Sequence, residues 1–173
     1  FTEFGSDAFN AVTMKEAQKE QADILFKNWA EIYLNAAGVG NNNNSIGGFT
    51  FQFADGWWKS GQTTNLDVHD TEASWSNGGY LFDHVEGENN MNEEWFGICA
   101  KGTPDNRGIY ELYPRAAYYV LRDIHKINPY VSGTNTSSIL NKFSDINVMS
   151  SVLSARSDKA ALQGETTRLI RLS

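Results

Sequence analysis

Carboxylates, amides and indole rings are the side chains of this chain that are placed to do chemistry. Glu3 stands in Thr2-Glu3-Phe4-Gly5-Ser6-Asp7-Ala8, Gln52 and Asp55 in Phe49-Thr50-Phe51-Gln52-Phe53-Ala54-Asp55, Trp57 and Trp58 directly after it, and Glu93 and Glu94 in Asn92-Glu93-Glu94. A carboxylate can attack as a nucleophile or move a proton, and a side-chain amide or a second carboxylate can hold hydroxyl groups in place. Flat apolar rings flanked by polar groups suit sugar faces, although large aromatics are equally ordinary core material. Adjacent residues in extended chain face opposite ways, so Trp57 and Trp58 divide, one toward a ligand and one under the loop.

Other constellations carry less. Gly38-Val39-Gly40 leaves a helix instead of following a strand, which is the wrong geometry for a dinucleotide. His69, Asp70, Asp83, His84, Glu86 and Glu88 could ligate a divalent ion, but their spacing matches no metal site and reads as a solvated acidic loop. No metal and no cofactor is expected. Cys99 is the single cysteine, which excludes an internal disulfide and a cysteine zinc site.

The elements that must position these groups follow from periodicity. Thr13-Met14-Lys15-Glu16 reads as a capping box, and Leu25, Trp29, Ile32 and Ala36 recur at helical spacing up to Gly38, which predicts a helix of about 24 residues. Residues 38–44 form a loop, and the alternation of Phe with small or polar residues over 47–55 predicts a strand that sets Gln52 opposite Phe51 and Phe53. Residues 59–94 read as one long loop, far beyond the usual ~2–6 residues. Pro114 suits a first helical turn, with Ala116, Val120, Ile124 and Ile127 on one face before Pro129. Ile139, Phe143, Ile146, Met149 and Leu153 predict a third helix, and Thr166 to Leu172 a strand. The order strand, helix, strand, loop, helix, extension implies parallel strands joined by crossovers. Two such strands alone leave open edges and half a core.

The formal net charge of −7 argues against a nucleic-acid partner, because phosphate contacts are normally made by Lys or Arg. No apolar run approaches the ~18 residues of a membrane span. At 173 residues, opening on Phe1 without an initiator Met or an apolar signal segment, the chain reads as a fragment or a processed piece.

Thr2-Glu3-Phe4-Gly5 resembles the Thr-Glu-Tyr/Phe-Gly segment on barrel strand seven of retaining β-glycosidases related to β-galactosidase and β-glucuronidase. Phe53-Ala54-Asp55 resembles that family's Asn-Phe-Ala-Asp on strand eight. Trp95-Phe96-Gly97-Ile98 and Pro114-Arg115-Ala116-Ala117-Tyr118 resemble its passage into helix eight. The four segments occur in the family's order over about residues 1–125. The resemblance implies an α/β fold: the C-terminal portion, strand seven to helix eight, of a TIM (β/α)₈ barrel in residues 1–127, with an extension over 128–173 that leads to another domain. A whole barrel takes about 250 residues, so the remaining staves would come from another segment or chain.

It implies a glycoside hydrolase that cleaves β-linked oligo- or polysaccharides with retention, Glu3 being the nucleophile. A protonated second carboxyl about 5–5.5 Å away would serve as acid/base. In the family that acid/base sits on strand four, which this chain does not contain. Gln52, Asp55, Trp57, Trp58 and Glu93 are the expected substrate contacts, with a cap or loop anchor as the alternative role for Asp55. Family members often carry Trp where this chain has Phe51, so the aromatic floor falls to Trp57 or Trp58. A non-catalytic carbohydrate-binding barrel and a structural or assembly component are the competing readings. An extracellular or periplasmic setting suits an enzyme of large glycans.

Overall fold

The computed structural model describes residues 1–10, 12–42, 44–56 and 93–155, with the backbone alone at Thr103, 160–161 and 168–169. Its centre is a helix, α1 (Gln18–Leu34), whose Ala22, Leu25, Trp29 and Ile32 recur every three or four residues and are all buried. Against them pack Ala116, Ala117, Val120, Leu121 and Ile124 of α2 (Ala116–Ile124), together with Ile139 and Phe143 of α3 (Thr136–Ser144) and Val152 and Ala155 of α4 (Val148–Ala155). The extension therefore shares one apolar core with the rest.

Two extended segments lie against Trp29 and the same core. Phe4 bridges Thr50 in parallel, through Phe4 N to Phe49 O at 3.1 Å and Phe51 N to Phe4 O at 2.7 Å. Farther along, Ala54 bridges Cys99, again in parallel. The regular strands of the described residues are antiparallel pairs: β1 (Phe9–Asn10) with β2 (Lys15–Glu16), β3 (Cys99–Pro104) with β4 (Tyr110–Pro114), and β5 (Ala160–Ala161) with β6 (Arg168–Leu169). Strand-like chain over 47–55 thus appears as isolated bridges and not as one ladder. Among the described residues no helix is long and apolar enough to cross a membrane.

Several expectations are corrected. The first helix has 17 residues, not about 24, because residues 9–16 fold into the β1–β2 hairpin and the N-cap is Ala17 without a side-chain cap. Thr13 and Glu16 form no capping box. Gly38 has φ +83, but in the turn beyond the helix, which already ends at Leu34. Pro114 closes β4 instead of opening α2, and the β3–β4 hairpin had no periodic signal. The third helix is two, since the Asn147 side chain accepts from Ser150 N at 3.1 Å and starts α4 anew. That restart turns Met149 and Leu153 outward, half-exposed or more.

Candidate active site

The residues of Thr2-Glu3-Phe4-Gly5 divide by face. Trp29 of α1 donates its indole N–H to Thr50 Oγ1 at 2.9 Å and meets the Phe4 ring edge-on at 5.6 Å, so both bridging side chains face the helix. Alternation then turns Glu3 and Phe49 to the opposite face. There Phe49 is 74 % exposed, and Glu3 is exposed with no hydrogen bond or ion pair to any described residue; Phe53, farther along, is exposed as well. Glu3 does not cap α1, and no described residue engages its carboxylate. Gly5 admits no side chain, because a Cβ there would lie 2.0 Å from the Phe51 carbonyl oxygen and 2.7 Å from the Phe96 ring.

Gln52 is half-buried and joins the next segment by its backbone, donating to Phe96 O at 3.2 Å and accepting from Ile98 N at 2.9 Å. Its side-chain Nε2 is buried without a hydrogen-bond partner among the described residues, a donor still to be satisfied.

Asp55 lies in a different environment. Arg115, 0 % exposed, donates Nη1 and Nη2 to the two Asp55 oxygens at 2.6 and 2.8 Å, Nη1 also to Gly97 O at 2.7 Å, and Nε to Glu16 Oε1 at 2.5 Å. Asp55 further accepts from Gly97 N at 3.0 Å and Lys101 N at 3.4 Å. Its side chain has no exposed surface, so the carboxylate anchors the end of the strand and does not meet a sugar hydroxyl. Of its two expected roles, the anchor is the one present.

Glu16, which sequence reading assigned to a helix cap, instead completes this ion cluster. Among the described residues its carboxyl receives the Arg115 Nε and, at 3.4 Å, the Gln18 side-chain amide. Burial raises its pKa above the ordinary carboxylate value, and the neighbouring guanidinium only partly offsets this. Burial also disfavours the Arg115 charge, but Asp55 and Glu16 outweigh it and push the guanidinium pKa up. Beside them, burial lifts the Cys99 thiol to about 12, against the opposing field of Arg115. Arg115 is also the N-cap residue of α2, and because its side chain is engaged elsewhere, Gln18 Oε1 accepts from Ala116 N at 3.0 Å in its stead.

Glu93 and Glu94 open a 3₁₀ turn, Glu93–Trp95, in which Glu94 is buried and Glu93 half-buried. Trp95 stacks on Phe9 at 4.8 Å and lies 5.4 Å from the Arg115 guanidinium carbon. Trp57, Trp58, Asn92 and the acidic loop from His69 to Glu88 lie outside the described residues.

The candidates therefore fall into two groups. One is the exposed face with Glu3 and Phe49, and the other is a buried cluster around Arg115. No family model, no curated protein and no solved structure matches this chain.

Proposed function

We propose that the chain is the strand-seven-to-helix-eight portion of a (β/α)₈ glycoside hydrolase that cleaves β-linked oligo- or polysaccharides with retention, with Glu3 as nucleophile. The observation that carries this reading is the parallel Phe4–Thr50 bridge with its helix on one face and an unengaged Glu3 on the other. In an α/β barrel the side chains facing away from the helix layer point inward, and chemistry gathers at the strand ends. Phe49 and Phe53, both exposed on the segment that bridges Phe4, support further staves supplied by another segment or chain.

A carboxylate with no partner among the described residues suits attack on an anomeric carbon, since no ion pair there must break first. The acid/base then comes from the missing staves. Gln52, with its unsatisfied amide, and Glu93, half-buried in the 3₁₀ turn, remain the substrate contacts that the described residues offer.

The test uses the full-length protein and a panel of aryl β-glucosides, β-galactosides and β-glucuronides. A 2-deoxy-2-fluoro glycoside with a good leaving group should label Glu3 covalently, seen by peptide mass spectrometry. Glu3→Gln should lower turnover on the order of a thousandfold or more while binding persists. Turnover of substrate with no label on Glu3 would remove it from the nucleophile's role.

A further inference from the structure

The described residues that flank 57–92 in sequence meet each other. Gly56 N donates to Glu94 O at 3.1 Å, and Asp55 N to Cys99 O at 3.2 Å. Every described group that the Arg115 side chain reaches, Glu16 excepted, belongs to one of the two ends meeting there: the Asp55 carboxylate, the Gly97 carbonyl and the Trp95 ring. Gly97 lets the ends approach, since a Cβ on it would lie 2.3 Å from Asp55 N and 2.5 Å from Cys99 O.

The apolar core does not account for this arrangement. Leu25, Val120, Ile124 and their neighbours close α1 on α2 without any ion. A buried guanidinium with two carboxylates is commonly no more stabilising than apolar packing of equal volume, so its effect is better sought in what it holds in place. Glu16 ties the same guanidinium to the hairpin that follows the Glu3 segment.

We propose that Arg115 is a positioning residue that clamps this neck, fixing Gly56 against Glu94 and so setting where the Glu93–Trp95 turn stands relative to the strand that neighbours Glu3. The clamp stands on the geometry alone. Its consequence for substrate, correct placement of Glu93 as a contact, rests on the glycosidase reading.

Hydrogen exchange on the full-length protein tests it, with Arg115→Met, Arg115→Lys and Gly97→Ala beside the wild type. In Arg115→Met the amides of Gly56, Gly97 and Lys101 should lose protection by roughly tenfold to a hundredfold more than those of α1 and α2, the loss expected when hydrogen bonds to a charged group go. Arg115→Lys, which keeps the charge but not the bidentate fork, should fall between. Gly97→Ala wedges the neck while leaving every charge in place and should give the same local pattern, so it decides the matter if Arg115→Met does not fold. Acceleration spread evenly over neck and helices, or none at the neck, overturns the clamp.

Kinetics then separate the two claims. With active wild type, Arg115→Met should raise KM for a β-glycoside about tenfold and change kcat less, with partial rescue in Arg115→Lys. A neck that opens while KM and kcat both stay at wild-type values overturns the positioning role. A neck that opens in a protein whose wild type turns over no β-glycoside leaves the clamp standing and removes the glycosidase reading.

Discussion

Glu3 and Asp55 are both carboxylates at parallel bridges beside one helix, yet the fold treats them in opposite ways. Asp55 has at least four N–H donors and no exposed surface, whereas Glu3 has solvent and no donor among the described residues. An anion that has lost its water must be compensated group by group, and the molecule does that for Asp55 with a guanidinium and two backbone amides. An anion left hydrated costs the fold nothing and keeps its lone pairs for something else. The difference separates a carboxylate that holds the chain together from one that the chain merely presents.

Removing each group is the sharpest way to break that contrast. Arg115→Ala leaves Asp55 and Glu16 buried without their counter-ion and should cost about 3–5 kcal/mol in urea denaturation. Glu3→Gln should stay within about 0.5 kcal/mol of wild type. If the two variants lose comparable stability, Glu3 has a structural task and the contrast is gone. Next in size is Gly5→Ala, where a methyl group would meet the Phe51 carbonyl at 2.0 Å. Overpacking against backbone should cost about 1–3 kcal/mol, because a carbonyl cannot rotate aside as a side chain can. An unchanged denaturation midpoint would mean that the Phe4–Thr50 bridge is looser than its hydrogen bonds of 3.1 and 2.7 Å imply.

What could be read in the residues followed the range of the interactions. The helical spacing of Leu25, Trp29 and Ile32, and that of Ala116, Val120 and Ile124, is a local pattern, and both sets are buried on real helices. Capping was misplaced because it depends on a competition that spacing does not contain. Thr13 and Glu16 have the right types three residues apart, but Glu16 lies against Arg115, 99 residues away in sequence, and that partner prevails. A capping box does form between Asn135 and Ser138, whose side chains bond each other's backbone. For the site, residue type and motif singled out Glu3, whereas the choice between sugar contact and anchor for Asp55 depended on Arg115, 60 residues on. Arg115 itself was read only as part of a passage into a helix. A fully buried Arg is rare enough that no single-residue pattern would nominate it.

The gentlest probe concerns the third member of the cluster. Glu16 and Asp55 share one guanidinium, but Glu16 has the fewer donors, and burial holds its pKa above the ordinary 4.5. The native state therefore binds this proton more tightly than the unfolded chain does. Through Glu16, stability should be greatest below pH 4.5 and should decline as the pH rises from there through the folded-state value. Asp105 and Asp123, whose pKa values are lowered, act in the reverse sense and lose stability on acidification, which would mask the effect in the wild type alone. Glu16→Gln removes the titrating group and leaves those two untouched. The wild-type denaturation midpoint should thus fall relative to that of Glu16→Gln between about pH 4.5 and neutrality. A gap that instead moves in favour of the wild type as the pH rises would mean that the field of Arg115 exceeds the penalty of burial, and that the cluster holds both carboxylates as readily as water does.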